Sequence, residues 1–104
     1  MTIEINVAER RATIQGEPVI VCGNSDYAVH FTFDEEWAAE ETKTARFVYT
    51  ADGETGYTDV VFTGDTVNVP VLSSTHEVLV GVFVGNRMTT TPAVIPCETS
   101  IRCL

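Results

Sequence analysis

The sequence predicts an all-β fold, an antiparallel β-sandwich of about seven to nine short strands, on three observations. Short apolar or alternating stretches run along most of the chain. Clusters of Gly, Pro, Asn and Asp separate them at intervals of about 8–12 residues, a spacing typical of sandwiches. No βαβ alternation and no internal repeat interrupts this pattern. We therefore expect one domain over residues 1–104, Ig-like or jelly-roll-like, with a closed barrel as the alternative.

The first quarter of the chain predicts two or three short strands. Apolar and polar residues alternate from Ile3 to Val7, which indicates a half-buried strand. Residues 16–18, Gly-Glu-Pro, mark a turn, because Gly admits positive φ and Pro removes a backbone donor. The continuous apolar run 19–22 predicts a strand buried on both faces, and residues 23–26 are dense in turn formers.

The next strand, predicted over residues 27–33, is central to the interpretation. Phe31 and Phe33 lie two residues apart, so their side chains leave the same face of the strand. His30 points the other way and is expected to be exposed or to lie on the polar face of the sheet. Trp37 is large enough to cap one end of the core, and its indole N–H needs a partner if it is buried.

Residues 34–41 follow as an acidic connection. They could form a brief helix with Asp34 as N-cap, or a loop, and the pattern does not decide between them. Residues 43–50 return as a strand, which we expect to neighbour the preceding one and to bring Phe47 into the core. Asp52-Gly53 is a strong turn signal after it.

Several further strands are predicted from the same patterns. They are residues 57–62, then 66–69 after a tight turn at Gly64-Asp65, then 77–84, 87–91, and a last strand from Val94 to the C-terminus. The strand 77–84 is the most apolar and is expected at the centre of a sheet. The predicted core contains Phe31, Phe33, Trp37, Phe47, Val80 and Val82.

The charge balance excludes several classes of partner. Asp and Glu outnumber Lys and Arg by 15 to 6, which gives a net charge of −9. Nucleic acids and anionic membranes require a basic surface, so neither is an expected partner. No apolar run approaches the roughly 18 residues of a membrane span, and no signal peptide is evident. We therefore expect the chain to be made and kept in a cytoplasm, at least until it is assembled into something else. Residues 26–41 hold six acids and no Lys or Arg, which predicts one strongly negative edge.

The cysteines and histidines do not form a convincing metal site. Cys22, Cys97 and Cys103 could join His30 or His76 as zinc ligands, but their spacing is poor. An odd number of cysteines without a CxxC motif also argues against a secreted disulfide framework. We expect reduced thiols that can be replaced without loss of the fold.

No catalytic or calcium-binding constellation is evident either. Residues 73–77 combine serine, histidine and glutamate, but no nucleophile elbow accompanies them. The acids at 34–36 and 40–41 lack the alternation and glycine of an EF-hand loop, and we expect a solvated acidic rim. The prediction is a protein that is not an enzyme, with no catalytic, cofactor-binding or metal-binding residues and no cofactor.

Six short segments, in order, carry a family resemblance. They are FTFDEEW at 31–37, KTARF at 43–47, VNVP at 67–70, VGVFVG at 80–85, TTTP at 89–92 and SIR at 100–102. Over about residues 19–102 the chain resembles the small N-terminal β-sandwich (Ig-like) domain of minor structural proteins from phages and prophages of Gram-positive bacteria, as found in baseplate and tail-fibre components.

The resemblance implies a virion protein without catalytic activity, whose sandwich anchors or links a longer fibre-like part. Its partners would be other phage structural proteins and further copies of itself, in a trimer or larger ring. Such proteins often continue beyond the point where this chain stops at Leu104, so it could be a free-standing component or a piece of one. The alternative is a stand-alone carbohydrate- or protein-binding sandwich, which exposed aromatic side chains on one face would favour.

Overall fold

The computed structural model describes residues 1–51 and 53–101 and contains two β-sheets stacked as a sandwich-like fold. The described residues form ten strands: β1 Thr2–Ala8, β2 Arg11–Ile14, β3 Ile20–Val21, β4 Ala28–Phe33, β5 Thr42–Ala51, β6 Glu54–Thr63, β7 Thr66–Asn68, β8 Glu77–Val84, β9 Met88–Thr89 and β10 Ala93–Glu98. A 3₁₀ turn, Glu35–Trp37, is their one helical element longer than a single residue. The all-β sandwich prediction is confirmed.

The two sheets are mixed rather than wholly antiparallel. The first sheet has the order β2-β1-β4-β7, and the second has the order β3-β10-β8-β5-β6, with β9 paired to one end of β8. Two pairings are parallel, β1 with β4 and β10 with β3. They arise because the chain crosses to the other sheet between the paired strands and returns in the same direction, whereas a hairpin would reverse it.

The core lies between the sheets and is lined by alternate residues of β1, β4, β5, β8 and β10. Phe31, Trp37, Phe47, Val80 and Val82 are buried there, as predicted. Phe33 is only half-buried and packs against the core from its rim. Strand β8 lies between β10 and β5, which confirms its central position.

One predicted neighbour relation is wrong. Phe47 lies on β5, which belongs to the second sheet and therefore faces β4 across the core instead of pairing with it. The apolar face of β5 can be buried only against the opposite sheet, a choice that alternation along one strand does not reveal. The tight turn predicted at Gly64-Asp65 is present, and it carries the chain from β6 in the second sheet to β7 in the first.

Several predicted strands differ in extent. The strand predicted over residues 87–91 is reduced to the two residues of β9, Met88–Thr89. The last strand ends at Glu98 and Ile101 is exposed, because the polar residues Thr99 and Ser100 break the apolar alternation. The predicted last strand includes residues 102–104, which lie outside the described residues. The turn predicted at Asp52-Gly53 includes Asp52, which also lies outside them. Only Ile20–Val21 of the run 19–22 form a strand, and Val21 is half-buried. Strand β6 begins at Glu54, three residues before its predicted start.

Candidate functional site

The long hairpin of β5 and β6 forms one side of the second sheet. Ten consecutive residue pairs join the strands, from Thr42 opposite Thr63 to Ala51 opposite Glu54, without a bulge. Side-chain alternation therefore continues unbroken along the hairpin. Even-numbered residues of β6 face the sandwich interior, with Phe62 fully enclosed, and odd-numbered residues face outward.

Arg46 lies at the centre of the outward face. It is opposite Asp59 on β6 and Gly81 on β8. Its Nε and Nη2 donate to the two carboxylate oxygens of Asp59 at 2.8 and 2.9 Å. Its guanidinium lies 4.2 Å from the ring centroid of Tyr57 and 5.1 Å from that of Phe83. Bidentate pairing and stacking on two rings fix the arginine in place.

The ion pair leaves little net charge on this face. The hydrogen bond from Arg46 lowers the pKa of the Asp59 carboxyl, so Asp59 stays ionised and matched by the guanidinium. The surrounding side chains are mostly apolar, and we call them, with the ion pair, the outer patch: Val48, Tyr57, Val61, Leu79 and Phe83 around Arg46–Asp59. Tyr57 is 59% exposed and Val61 67% exposed, although both are large enough to bury substantial apolar area. The outer patch is suited to flat contact with another surface.

The edge of the same sheet is continuous with the outer patch. Among the described strands, β5 is the one that pairs with β6, so the backbone on the far side of β6 is open to a further strand. The other lateral edges among the described strands are β2, β7, β3 and β9, with four, three, two and two residues, whereas β6 has ten. Short edge strands limit unwanted pairing, and β6 lacks that protection.

Glu35, Glu36 and Glu41 of the acidic connection are exposed, as predicted, and cations anchor the connection. Arg10 Nε donates to Glu36 Oε1 at 3.0 Å, and Arg87 Nη2 donates to Glu40 Oε2 at 2.7 Å. Lys43 Nζ donates to the backbone oxygen of Glu40 at 2.7 Å. The bond from Arg87 lowers the pKa of the Glu40 carboxyl. The connection is therefore a fixed rim whose negative charge is partly neutralised.

A groove of about 670 Å³ lies beside this rim, and Lys43 is among its lining residues. Lys43 is only 4% exposed, and its Nζ lies 5.1 Å from the ring centroid of Phe33 and 5.5 Å from that of Phe62. Removal from water lowers the pKa of its ammonium. Trp37 lines the same groove, and its buried Nε1 has no hydrogen-bond acceptor among the described residues.

Asp34 is the N-cap residue of the 3₁₀ turn, as predicted, but its side chain bonds elsewhere. Its side chain makes no capping hydrogen bond to the 3₁₀ turn. Instead Asp34 Oδ2 accepts a hydrogen bond from the backbone N–H of Glu9 at 2.8 Å. Glu9 and Arg10 form the β1–β2 turn with φ of 53° and 62°, the left-handed region that residues with a Cβ seldom adopt. The carboxylate thus helps to hold a strained turn.

Sequence reasoning missed a charged cluster around His30. The imidazole Nδ1 lies 2.6 Å from Glu4 Oε1, and Nε2 lies 3.2 Å from Asp65 Oδ2. His30 is half-buried on the polar face of the first sheet, as predicted. Its carboxylate partners were not foreseen, because Glu4 is brought opposite His30 by the unpredicted parallel pairing of β1 and β4. Only a prediction of that pairing could have revealed the cluster.

The cluster should make stability depend on pH. The hydrogen bonds that the His30 ring makes to the carboxylates of Glu4, first, and of Asp65 raise the pKa of His30 above its ordinary value, against an opposing effect of burial. Because the pKa of His30 is higher in the folded state than in the unfolded state, the cluster stabilises the fold fully at pH values below the unfolded-state pKa. This stabilisation is lost as the pH rises through the folded-state pKa. We expect less than about 1 kcal/mol, since the groups are partly exposed. Urea titrations from pH 5 to pH 9, with His30→Gln as control, measure it; equal pH slopes would refute it.

The cysteine and histidine residues considered as zinc ligands do not come together as a site among the described residues. Ser74, His76 and Glu77 line one groove, of about 650 Å³. Cys22 and Cys97 are buried free thiols, and Cys103 lies outside the described residues. Cys97 lies beside Cys22, and burial raises the pKa of Cys97 to about 12, so it stays protonated at neutral pH. His76 is exposed, and among the described residues no group of three His, Cys, Asp or Glu is placed to hold a metal ion.

In the region that the structure covers, no helix has the length and hydropathy needed to cross a membrane. Comparison with protein-family models, curated proteins and solved structures finds no match to this chain. The outer patch and the β6 edge are thus the surfaces from which a function can be argued.

Proposed function

We propose that this chain is a non-catalytic association domain, a structural component of a phage or prophage tail, baseplate or fibre. The observation that carries the association role is the outer patch, which is continuous with an open edge strand of ten residues. Together they offer apolar contact and backbone hydrogen bonds along the same side of one sheet. The assignment to a virion comes from the sequence resemblance.

Charge distribution separates two modes of contact. The outer patch is locally balanced by the Arg46–Asp59 pair, so binding there is driven by apolar burial and backbone pairing and should resist salt. The net charge of −9 and the acidic rim instead favour a basic partner surface, and contact there should weaken as salt increases. A titration of ionic strength therefore identifies which surface a partner uses.

The test is sedimentation velocity of the chain alone and mixed with candidate tail, baseplate and fibre proteins. Val61→Thr, at a position 67% exposed on the outer patch, should weaken association without destabilising the fold. Val71→Thr is the matched control, because Val71 is 60% exposed and lies in the β7–β8 connection. Equal binding by both variants would refute the role of the outer patch. Absence of binding to any virion component would refute the virion assignment.

A carbohydrate-binding module is the second candidate, and one observation favours it. Tyr57 and Phe83 lie on the same outward face, and exposed aromatic rings can stack on sugars. The Arg46 guanidinium already lies 4.2 Å from the Tyr57 ring centroid, which leaves less of that ring free. A glycan array distinguishes the two functions: glycan binding by a strict monomer, lost in Tyr57→Ala, would select the module over the virion component.

A further inference from the structure

We propose that β6 pairs with β6 of a second copy of this chain, antiparallel and about a two-fold axis at Thr58. The second sheets of the two copies then form one continuous sheet. This inference rests on the proposed association function and names its partner as the chain itself.

Strand β6 carries none of the features that discourage pairing at a sheet edge. Residues 54–63 contain no Lys, Arg or Pro, the residues that commonly protect an edge, and the strand has no bulge. Its two acids are Glu54 and Asp59, and Asp59 is already matched by Arg46. Although the chain carries −9 overall, a seam along β6 would bring together little unbalanced charge.

Side-chain alternation and the position of Asp59 fix the register of this pairing. In an antiparallel pair, directly opposite residues share a face, so even-numbered residues of β6 must oppose even-numbered residues of the second copy. A two-fold axis must therefore pass through a residue and not between two residues. The axis positions that pair the most residues of Glu54–Thr63 are Thr58 and Asp59. An axis at Asp59 would place two carboxylates directly opposite each other, which is destabilising, and this leaves Thr58.

The pairs created by that register are complementary. Tyr57 lies opposite Asp59 of the second copy, where its hydroxyl can donate to a carboxylate. Gly56 has no side chain and lies opposite Val60 of the second copy, so a large residue faces a small one. Gly56, Thr58 and Val60 are only half-buried in the single chain, and pairing would cover them. The outer patches of the two copies also become adjacent on one face.

Cysteine cross-linking tests the register in the 104-residue chain carrying Cys103→Ser, which leaves Cys22 and Cys97, both buried, as the native thiols. Thr58→Cys should form a covalent dimer on mild oxidation, because the two thiols face each other across the axis. Thr55→Cys alone is the matched control. It should not form a covalent dimer, because position 55 faces position 61 of the second copy. Mixing Thr55→Cys with Val61→Cys should restore the cross-link. Equal cross-linking of Thr55→Cys and Thr58→Cys would overturn the register.

A second variant tests the pairing without oxidation. Thr58→Lys places two ammonium groups opposite each other and should change the mass in sedimentation equilibrium from two chains to one. Residue 63 lies outside the nine paired residues, so the Thr63→Lys variant should remain a dimer. Circular dichroism checks that both variants fold. A wild-type chain that is monomeric at high concentration yet binds tail proteins through the outer patch would overturn this inference and leave the proposed function standing. A trimer or ring that Thr58→Lys does not disturb would also overturn this inference and leave the proposed function standing.

Discussion

Trp37→Ala is expected to lower the free energy of unfolding by about 3–5 kcal/mol, the range for removing a buried aromatic side chain. Trp37 is 2% exposed and closes the end of the core, with its ring centroid 5.2 Å from that of Phe33. Truncation would open a cavity that the short 3₁₀ turn cannot refill. Urea denaturation followed by circular dichroism measures the loss.

Two matched variants show whether the effect comes from burial. Trp37→Phe keeps a ring and removes the indole N–H that has no acceptor among the described residues, so its cost should be well below that of Trp37→Ala. Phe33→Ala should also cost less, because Phe33 is half-buried. An unchanged denaturation midpoint in Trp37→Ala, or a larger loss in Phe33→Ala, would contradict this account of the rim.

Phe47→Ala is the second substitution with a large expected effect, also about 3–5 kcal/mol. Phe47 is completely buried and projects from the middle of β5 toward the first sheet, so its removal weakens contact between the two sheets. Val48→Ala is the control, because Val48 lies on the outward face of the same strand. Comparable losses in the two variants would mean that the faces of β5 are assigned incorrectly.

Local patterns were enough to predict most strands and most of the core. Alternation in β1 and the valines of β8 each identify a buried face, and the structure buries those faces. Local patterns do not predict which strands pair with each other in a sheet. Alternation along β1 and β4 does not show that Glu4 and His30 are neighbours; only the parallel pairing of the two strands places them opposite each other.

The outer patch escaped prediction for a similar reason. Arg46, Asp59 and Phe83 belong to three strands, and only the register of β5 with β6 and β8 brings them together. Phe33 shows the complementary limit. Its spacing of two residues from Phe31 correctly predicts that both side chains leave the same face of β4. How deeply Phe33 is buried depends on its distance from the end of the sheet, which the sequence of one strand does not reveal.

Strand β10 has a consequence for how the chain acquires its fold. It lies between β3 and β8 and pairs Cys97 with Ile20, across most of the length of the chain. Contacts of such long sequence separation slow folding, because a large loop must close before they form. During synthesis, β3 has no partner strand until residues 93–98 have left the ribosome. The hairpin of β5 and β6, made of neighbouring segments, can form earlier. Its open edge would then be available to other nascent chains before the sandwich is complete, so the rate of synthesis should influence the yield of soluble protein.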